Sequence, residues 1–156
     1  MPIATLGVIS DTHGLLRPEA IRQLEGCDHI IHAGDVGDPG ILARLEDIAP
    51  VSAVRGNVDT AAWAARLPLV DVVDVGGHLF YVLHQRDHLD IDPKAGGMSA
   101  VIYGHSHRPD IETRDGVLYL NPGSAGPRRF SLPVTVARVV IGTTGLEASI
   151  HTLLVG

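Results

Sequence analysis

The chain has 156 residues, 45% of them hydrophobic and 4% aromatic, with 18 glycines, one cysteine and a formal net charge of −6. That length fits a single domain, 1–156, whose core of Val, Ile, Leu and Ala needs no disulfide, and the apolar content excludes a disordered chain. With Arg128-Arg129 as the longest basic run, binding of nucleic acid by charge is not expected, and no apolar stretch approaches the ~20 residues of a membrane span.

The opening IATLGVI (3–9) reads as a strand and ends in the polar loop SDTHG. RPEAIRQLEG (17–26) carries Ile21 and Leu24 at helical spacing before Gly26. DHIIHAG (28–34) is a second strand, and its loop GDVGDP leads to a helix over 39–48, striped by Ile41, Leu42, Leu45 and Ile48. VSAVRG (51–56) is a third strand, ending in GNVD. Alternation of this kind implies parallel strands with right-handed crossovers, and ligands gather beyond the carboxyl ends of such strands. The loops SDTHG, AGDVGD and RGNVD therefore belong side by side.

The second half changes pattern. Residues 69–84 form a hairpin turning at Gly76-Gly77, and 86–98 hold a short helix or a loop. SAVIYG returns as a strand, 110–121 turn at Asp115-Gly116, and 132–154 give two long strands about Gly-Thr-Thr-Gly. The expected architecture is α/β: a mixed core set of strands, a second antiparallel set, and helices outside. Cys27 reads as a small packing residue, and its solitude, with a start lacking the basic and apolar regions of a signal peptide, fits the cytoplasm.

Seven residues at strand ends carry donor atoms: Asp11, His13, Asp35, Asn57, His84, His105 and His107. Carboxylate, amide oxygen and imidazole together suit Mn, Fe, Zn or Ni better than Mg or Ca. Seven ligands give two ions four each if Asp35 is shared. Two ions about 3.5–4 Å apart hold a bridging hydroxide and clamp phosphate oxygens. On a strand, His105 and His107 point to one face, so each would reach a different ion, and Gly104 lets the backbone approach.

SDTHG, AGDVGD, RGNVD, LH and YGHSH, in that order, resemble the calcineurin-like metallophosphoesterases. NPGS at 121–124 narrows the resemblance to the small YfcE-like phosphodiesterases of bacteria and archaea, over roughly Ile3 to Val140. The resemblance implies a four-layer αββα sandwich of two mixed sheets flanked by helices, with a binuclear site at its crest. It gives Asp11, His13, Asp35 and His107 to one ion and Asp35, Asn57, His84 and His105 to the other. It implies catalytic roles for Asn57, His84 and His105, and a substrate-facing role for Asn57 and for Asn121, Gly123 and Ser124. The implied cofactors are two divalent ions, manganese first and Fe, Zn or Ni as alternatives. The implied reaction is hydrolysis of a small phosphate ester, most of all a diester.

Two positions depart from the pattern. Where many relatives have a histidine that protonates the leaving group, this chain has Val58, which favours phenolate-like leaving groups. Gln85 replaces a frequent glycine beside His84. A non-catalytic interaction scaffold of the same fold and a phosphomonoesterase are the rival readings; the full ligand set argues against the first. A dimer or tetramer is the expected assembly.

Several residues keep two readings. Asp38 is better placed than Asp35 to cap the second helix, which leaves Asp35 as ligand. Asp59 either orients a ligand such as His84 or caps a helix in TAAWAARL. Arg55 forms a salt bridge or meets phosphate, and Arg128-Arg129 recruit phosphate or are a solvated loop. His29, His32, His78, His88 and His151 are surface or strand-face residues, with His32 alone close enough to Asp35 to support the site.

Overall fold

The computed structural model describes residues 2–154. Strands β1 (Ala4–Ile9), β2 (His29–His32) and β3 (Val51–Ala53) alternate with helices α1 (Pro18–Leu24) and α2 (Pro39–Glu46). The strands run parallel, with Val8 beside Ile31 and Ile31 beside Ser52. Proline opens each helix, where its fixed φ suits the first turn and its missing N–H costs nothing. As expected, Asp38 caps α2, accepting the Gly40 N–H at 2.8 Å.

After a short 3₁₀ turn at Ala62–Arg66, β4 (Val70–Val75) and β5 (His78–Leu83) make a hairpin about Gly76-Gly77. Then follow β6 (Ala100–Ile102), β7 (Asp110–Arg114), β8 (Val117–Asn121), β9 (Val134–Ile141) and β10 (Leu146–Leu154). One sheet has the order β10-β9-β1-β2-β3, the other β4-β5-β6-β8-β7. Both are mixed. In the second, β5, β6 and β8 are parallel and only the edge strands β4 and β7 are antiparallel. The purely antiparallel second set expected from its hairpins is thereby corrected: segment 84–99 crosses over to β6 rather than turning back, as the two-sheet resemblance implied.

The sheets face each other across Leu6, Val8, Ile31, Phe80, Val82, Ile102, Leu120 and Val139. Each such side chain, fully withdrawn from water, contributes about 1.5–3 kcal/mol. Both helices cover the outer face of the first sheet, where Ala20, Leu24, Ile41 and Leu45 meet Ile9, Ile30 and Val136. The outer face of the second sheet is covered differently. Tyr81, Tyr103 and Tyr119 pack there with Leu89 and Met98, from a segment holding only a 3₁₀ turn at Arg86–His88. Asp92-Pro93 and Gly96-Gly97 interrupt any helix in that segment, so the fourth layer is thin. Among the described residues no helix is long and apolar enough to cross a membrane.

Candidate metal centre

Main-chain hydrogen bonds continue past the strand ends and set the ligand loops side by side. Asp11 N–H donates to the Gly34 carbonyl and His13 N–H to that of Asp35, carrying the β1–β2 pairing into the loops. In the second sheet, Gly104 N–H donates to the His84 carbonyl. The two sheets are joined where His105 N–H donates to Asp11 Oδ2 at 3.0 Å and the His84 ring meets the Ala33 carbonyl at 2.7 Å.

Seven described residues other than glycine have positive φ, and five of them are Asp11 (54°), His13 (46°), Asp35 (56°), His105 (73°) and His107 (65°). Each left-handed backbone of this kind costs about 1–3 kcal/mol and persists where the surroundings over-determine it, typically at functional sites. The strand argument for His105 and His107 is corrected here. β6 ends at Ile102, and the two histidines diverge because each has a left-handed backbone. His107 is buried against His13, and His105 is exposed beside Asn57.

Two groups of donors result, Asp11 with His13 and His107, and Asp35 with His84 and His105, each with its ligand atoms within 4.8 Å of one another. Asp35 Oδ2 lies 3.1 Å from His84 Nε2 and 3.6 Å from His13 Nε2, so it stands between them. Asp11 Oδ1 faces the Nε2 atoms of His107, His13 and His84 at 3.4, 3.6 and 3.7 Å. The three Asp11 contacts are electrostatic, longer than ordinary hydrogen bonds. Asn57 Oδ1 is 3.2 Å from His105 Nδ1.

Burial pushes the Asp11 carboxyl up, but the His107, His13 and His84 rings and the Ser10 hydroxyl overcome it and hold Asp11 well below the usual carboxylate range. Burial acts on Asp35 in the same sense and is outweighed by His84 and the Val58 N–H. For His84, burial works downward, but Asp35, Asp11 and the Ala33 carbonyl raise its pKa. The two carboxylates and the His84 ring thus favour one another's charged forms.

Asp11 Oδ1 and His84 Nε2 are buried without a hydrogen-bond partner. Buried polar atoms are seldom left so. Their partners are already fixed on the other side: Asp11 Oδ2 accepts from Ser10 Oγ and His105 N–H, and His84 Nδ1 takes the Ala33 carbonyl, which turns Nε2 inward as a ligand atom. These residues fit divalent ions of mixed nitrogen and oxygen preference.

Gly104 and Gly56 are among the glycines that allow close backbone approach at the site. A Cβ at Gly104 would lie 2.1 Å from Ser10 Oγ and 2.7 Å from Asp11 Oδ2, and one at Gly56 would lie 2.1 Å from Asp35 Oδ1 and 2.2 Å from its backbone nitrogen.

The surrounding residues act as braces. Neither reading of Asp59 holds: the 3₁₀ turn at 62–66 has Ala61 at its cap, and the Asp59 carboxylate touches no ligand side chain. Instead it accepts N–H groups from Val36, Gly37 and Gly56 at 3.0–3.1 Å, tying the Asp35 loop to the Asn57 loop. Asn121 donates to the Gly104 carbonyl and Ser106 Oγ and accepts the Gly123 N–H. Ser124 Oγ donates to the Asp11 carbonyl. The polar groups of the NPGS loop are thus turned onto the ligand loops. His32, fully buried, is no surface histidine. Its Nδ1 accepts the Gly34 N–H and its Nε2 meets Thr12 Oγ1, which donates to the Val36 carbonyl. Ser10 and Thr12 were not singled out from the sequence; their alternation with Asp11 and His13 was the available signal. Arg55 makes no salt bridge among the described residues.

A two-sheet α/β sandwich with such a donor cluster at its crest defines a metallophosphoesterase-like protein. Residues 5–144 match the family model described as the calcineurin-like phosphoesterase superfamily domain. The chain belongs to that superfamily. It is 37% identical over 132 residues to a probable metallophosphoesterase of Methanocaldococcus jannaschii, covering 76% of this chain and 67% of that protein. It is 29% identical over 136 residues to a phosphodiesterase of the same organism, covering 76% and 82%. Among solved structures, an archaeal phosphodiesterase superposes with a TM-score of 0.79 at 25% identity, covering 95% of this chain and 99% of its own. Vacuolar protein sorting 29 of Cryptosporidium parvum (TM-score 0.75, 16% identity, 96% and 97% coverage) shares the fold.

Proposed function

We propose that the chain is a binuclear phosphodiesterase. Asp11, His13, Asp35 and His107 would hold one divalent ion, and Asp35, Asn57, His84 and His105 the other, manganese first and Fe, Zn or Ni as alternatives. The observation that carries this reading is the pair of donor groups meeting at Asp35, with Asp11 Oδ1 and His84 Nε2 buried between them without a hydrogen-bond partner. Such ions supply Lewis acidity and hydroxide near neutral pH.

The chain's own residues do the rest. The carboxyls of Asp11 and Asp35 are both held below the usual carboxylate range, which keeps them ionised near neutral pH. The hydrogen bond to the Ala33 carbonyl keeps His84 from rotating. Asn57 turns its Oδ1 toward His105 and leaves its Nδ2–H₂ to donate to a phosphate oxygen, where charge grows in the transition state. Val58 has no proton for the leaving group, so esters of acidic alcohols are the favoured substrates. Asn121 and Ser124 act through the loops they tie down. Hydrolysis of bis(p-nitrophenyl) phosphate by metal-stripped protein, with and without added Mn²⁺ and beside the monoester, tests the reading. Mn²⁺-dependent cleavage of mainly the diester is expected; no turnover with any divalent ion overturns it.

A further inference from the structure

A cavity of about 420 Å³ opens directly beside Asn57 and His84. That volume lies in the range of small-molecule sites. Its walls are set by the fold: Arg55 N–H donates to the Pro68 carbonyl, fixing the ligand loop against the start of β4, and Val70 pairs with Leu83 across the β4–β5 hairpin. One wall is apolar, made by Leu69, Val70 and Leu83. Leu69 and Val70 are 61% and 41% exposed, so they present free apolar surface to the cavity. The rim is polar. Arg55, Gln85 and Asp90 stand around it and make no side-chain hydrogen bond or ion pair among the described residues.

We infer that this cavity receives the non-leaving ester arm of the substrate, and that the arm is a planar aromatic group, aryl or heteroaryl. The inference rests on the phosphodiesterase reading for the position of the phosphate and goes beyond it in naming what the phosphate carries. An aliphatic wall stacks against a ring face, and the amide of Gln85 with the charges of Arg55 and Asp90 meets the polar edge of the ring. A phosphate held at Asn57 and His84 places its arm at the cavity mouth, since both residues line it. A short alkyl arm would leave the wall wet.

The test separates this claim from catalysis. The variant Leu69→Ser/Val70→Ser removes the apolar wall at two exposed positions and leaves the donor residues in place; circular dichroism checks its fold, and the methyl ester is the internal control for catalysis. Wild type and variant are compared on bis(p-nitrophenyl) phosphate and methyl p-nitrophenyl phosphate, which share a leaving group. The variant should lose about tenfold in kcat/KM on the diaryl ester and less than twofold on the methyl ester, the scale of a lost apolar contact. Equal losses on both overturn the inference. In parallel, phenylphosphonate and methylphosphonate, which cannot be hydrolysed, are titrated into zinc-loaded protein by NMR. Phenylphosphonate should bind about tenfold tighter and shift the amides of Leu69, Val70 and Gln85. Equal affinities, or shifts confined to Asn57 and His84, refute the aromatic arm whether or not either ester is cleaved.

Discussion

Replacing Asp59 probes how the two ligand loops are held together. Its carboxylate is almost fully buried, and Oδ2 takes the N–H groups of Val36 and Gly56 while Oδ1 takes that of Gly37. Hydrogen bonds to a charged group contribute about 1.5–3 kcal/mol each, and a buried N–H left alone costs about 1–3 kcal/mol. In Asp59→Asn the amide oxygen keeps two of the three donors, but the NH₂ now faces the Gly37 N–H. The expected destabilisation is about 1–3 kcal/mol. Asp59→Ala strands all three donors, and about 4 kcal/mol is expected, near the upper end for point mutants. Urea unfolding of metal-stripped protein measures both. Because Val36 and Gly37 follow Asp35, and Gly56 precedes Asn57, metal affinity should also fall by at least tenfold in the alanine variant. Stabilities within 0.5 kcal/mol of wild type, roughly the size of a surface substitution, would refute the bracing role, as would alanine and asparagine variants of equal stability.

Acid should act on the metal-stripped protein through His32. Burial, against the opposing pull of Asp11 and Asp59, lowers its pKa from 6.5 to about 4. A depressed imidazole adds stability that is whole above the unfolded pKa and lost as pH falls through the folded one. About 3 kcal/mol should therefore disappear between pH 6.5 and 4, and the pH slope of His32→Gln over that window should be flatter; parallel curves would contradict it. Gly56→Ala forces a Cβ into Asp35, so overpacking of about 1–3 kcal/mol is expected. Calorimetric Mn²⁺ binding weakened at least tenfold would confirm that the clash reaches the site, and unchanged affinity would not fit the geometry. Val58→His at a 46% exposed position should raise turnover of alkyl esters by tenfold or more while leaving aryl esters within about threefold. An equal gain on both would mean that leaving-group protonation is not what the valine removes.

The donor set was legible because parallel strands end in loops at one edge, so polar clusters after apolar runs fall together whatever the packing between. Asp38 was legible as a cap because Pro39 marks the helix start. The left-handed backbones of Asp11, His13, Asp35, His105 and His107 were not, since Asp and His adopt positive φ only occasionally, whereas glycine does so routinely. The apolar pattern of β6 gives no sign that the strand stops at Ile102, before the two histidines of GHSH. Asp59, His32 and Asn121 look alike in sequence as ligand, cap or surface residue; only the tertiary neighbours at Val36, Gly34 and Gly104 decide. The thin layer over the second sheet was half legible, in Pro93 and the glycines at 96–97, but Leu89 and Met98 pack against the tyrosine-rich cluster of that sheet without helical periodicity.

Metal content per chain, measured on metal-stripped protein re-equilibrated with Mn²⁺ and compared with His107→Ala and His105→Ala, tests the central claim most directly. Two ions on the wild type and about one on each variant are predicted, since the two histidines belong to different donor groups. One ion or none on the wild type, or two retained in both variants, would contradict the binuclear centre.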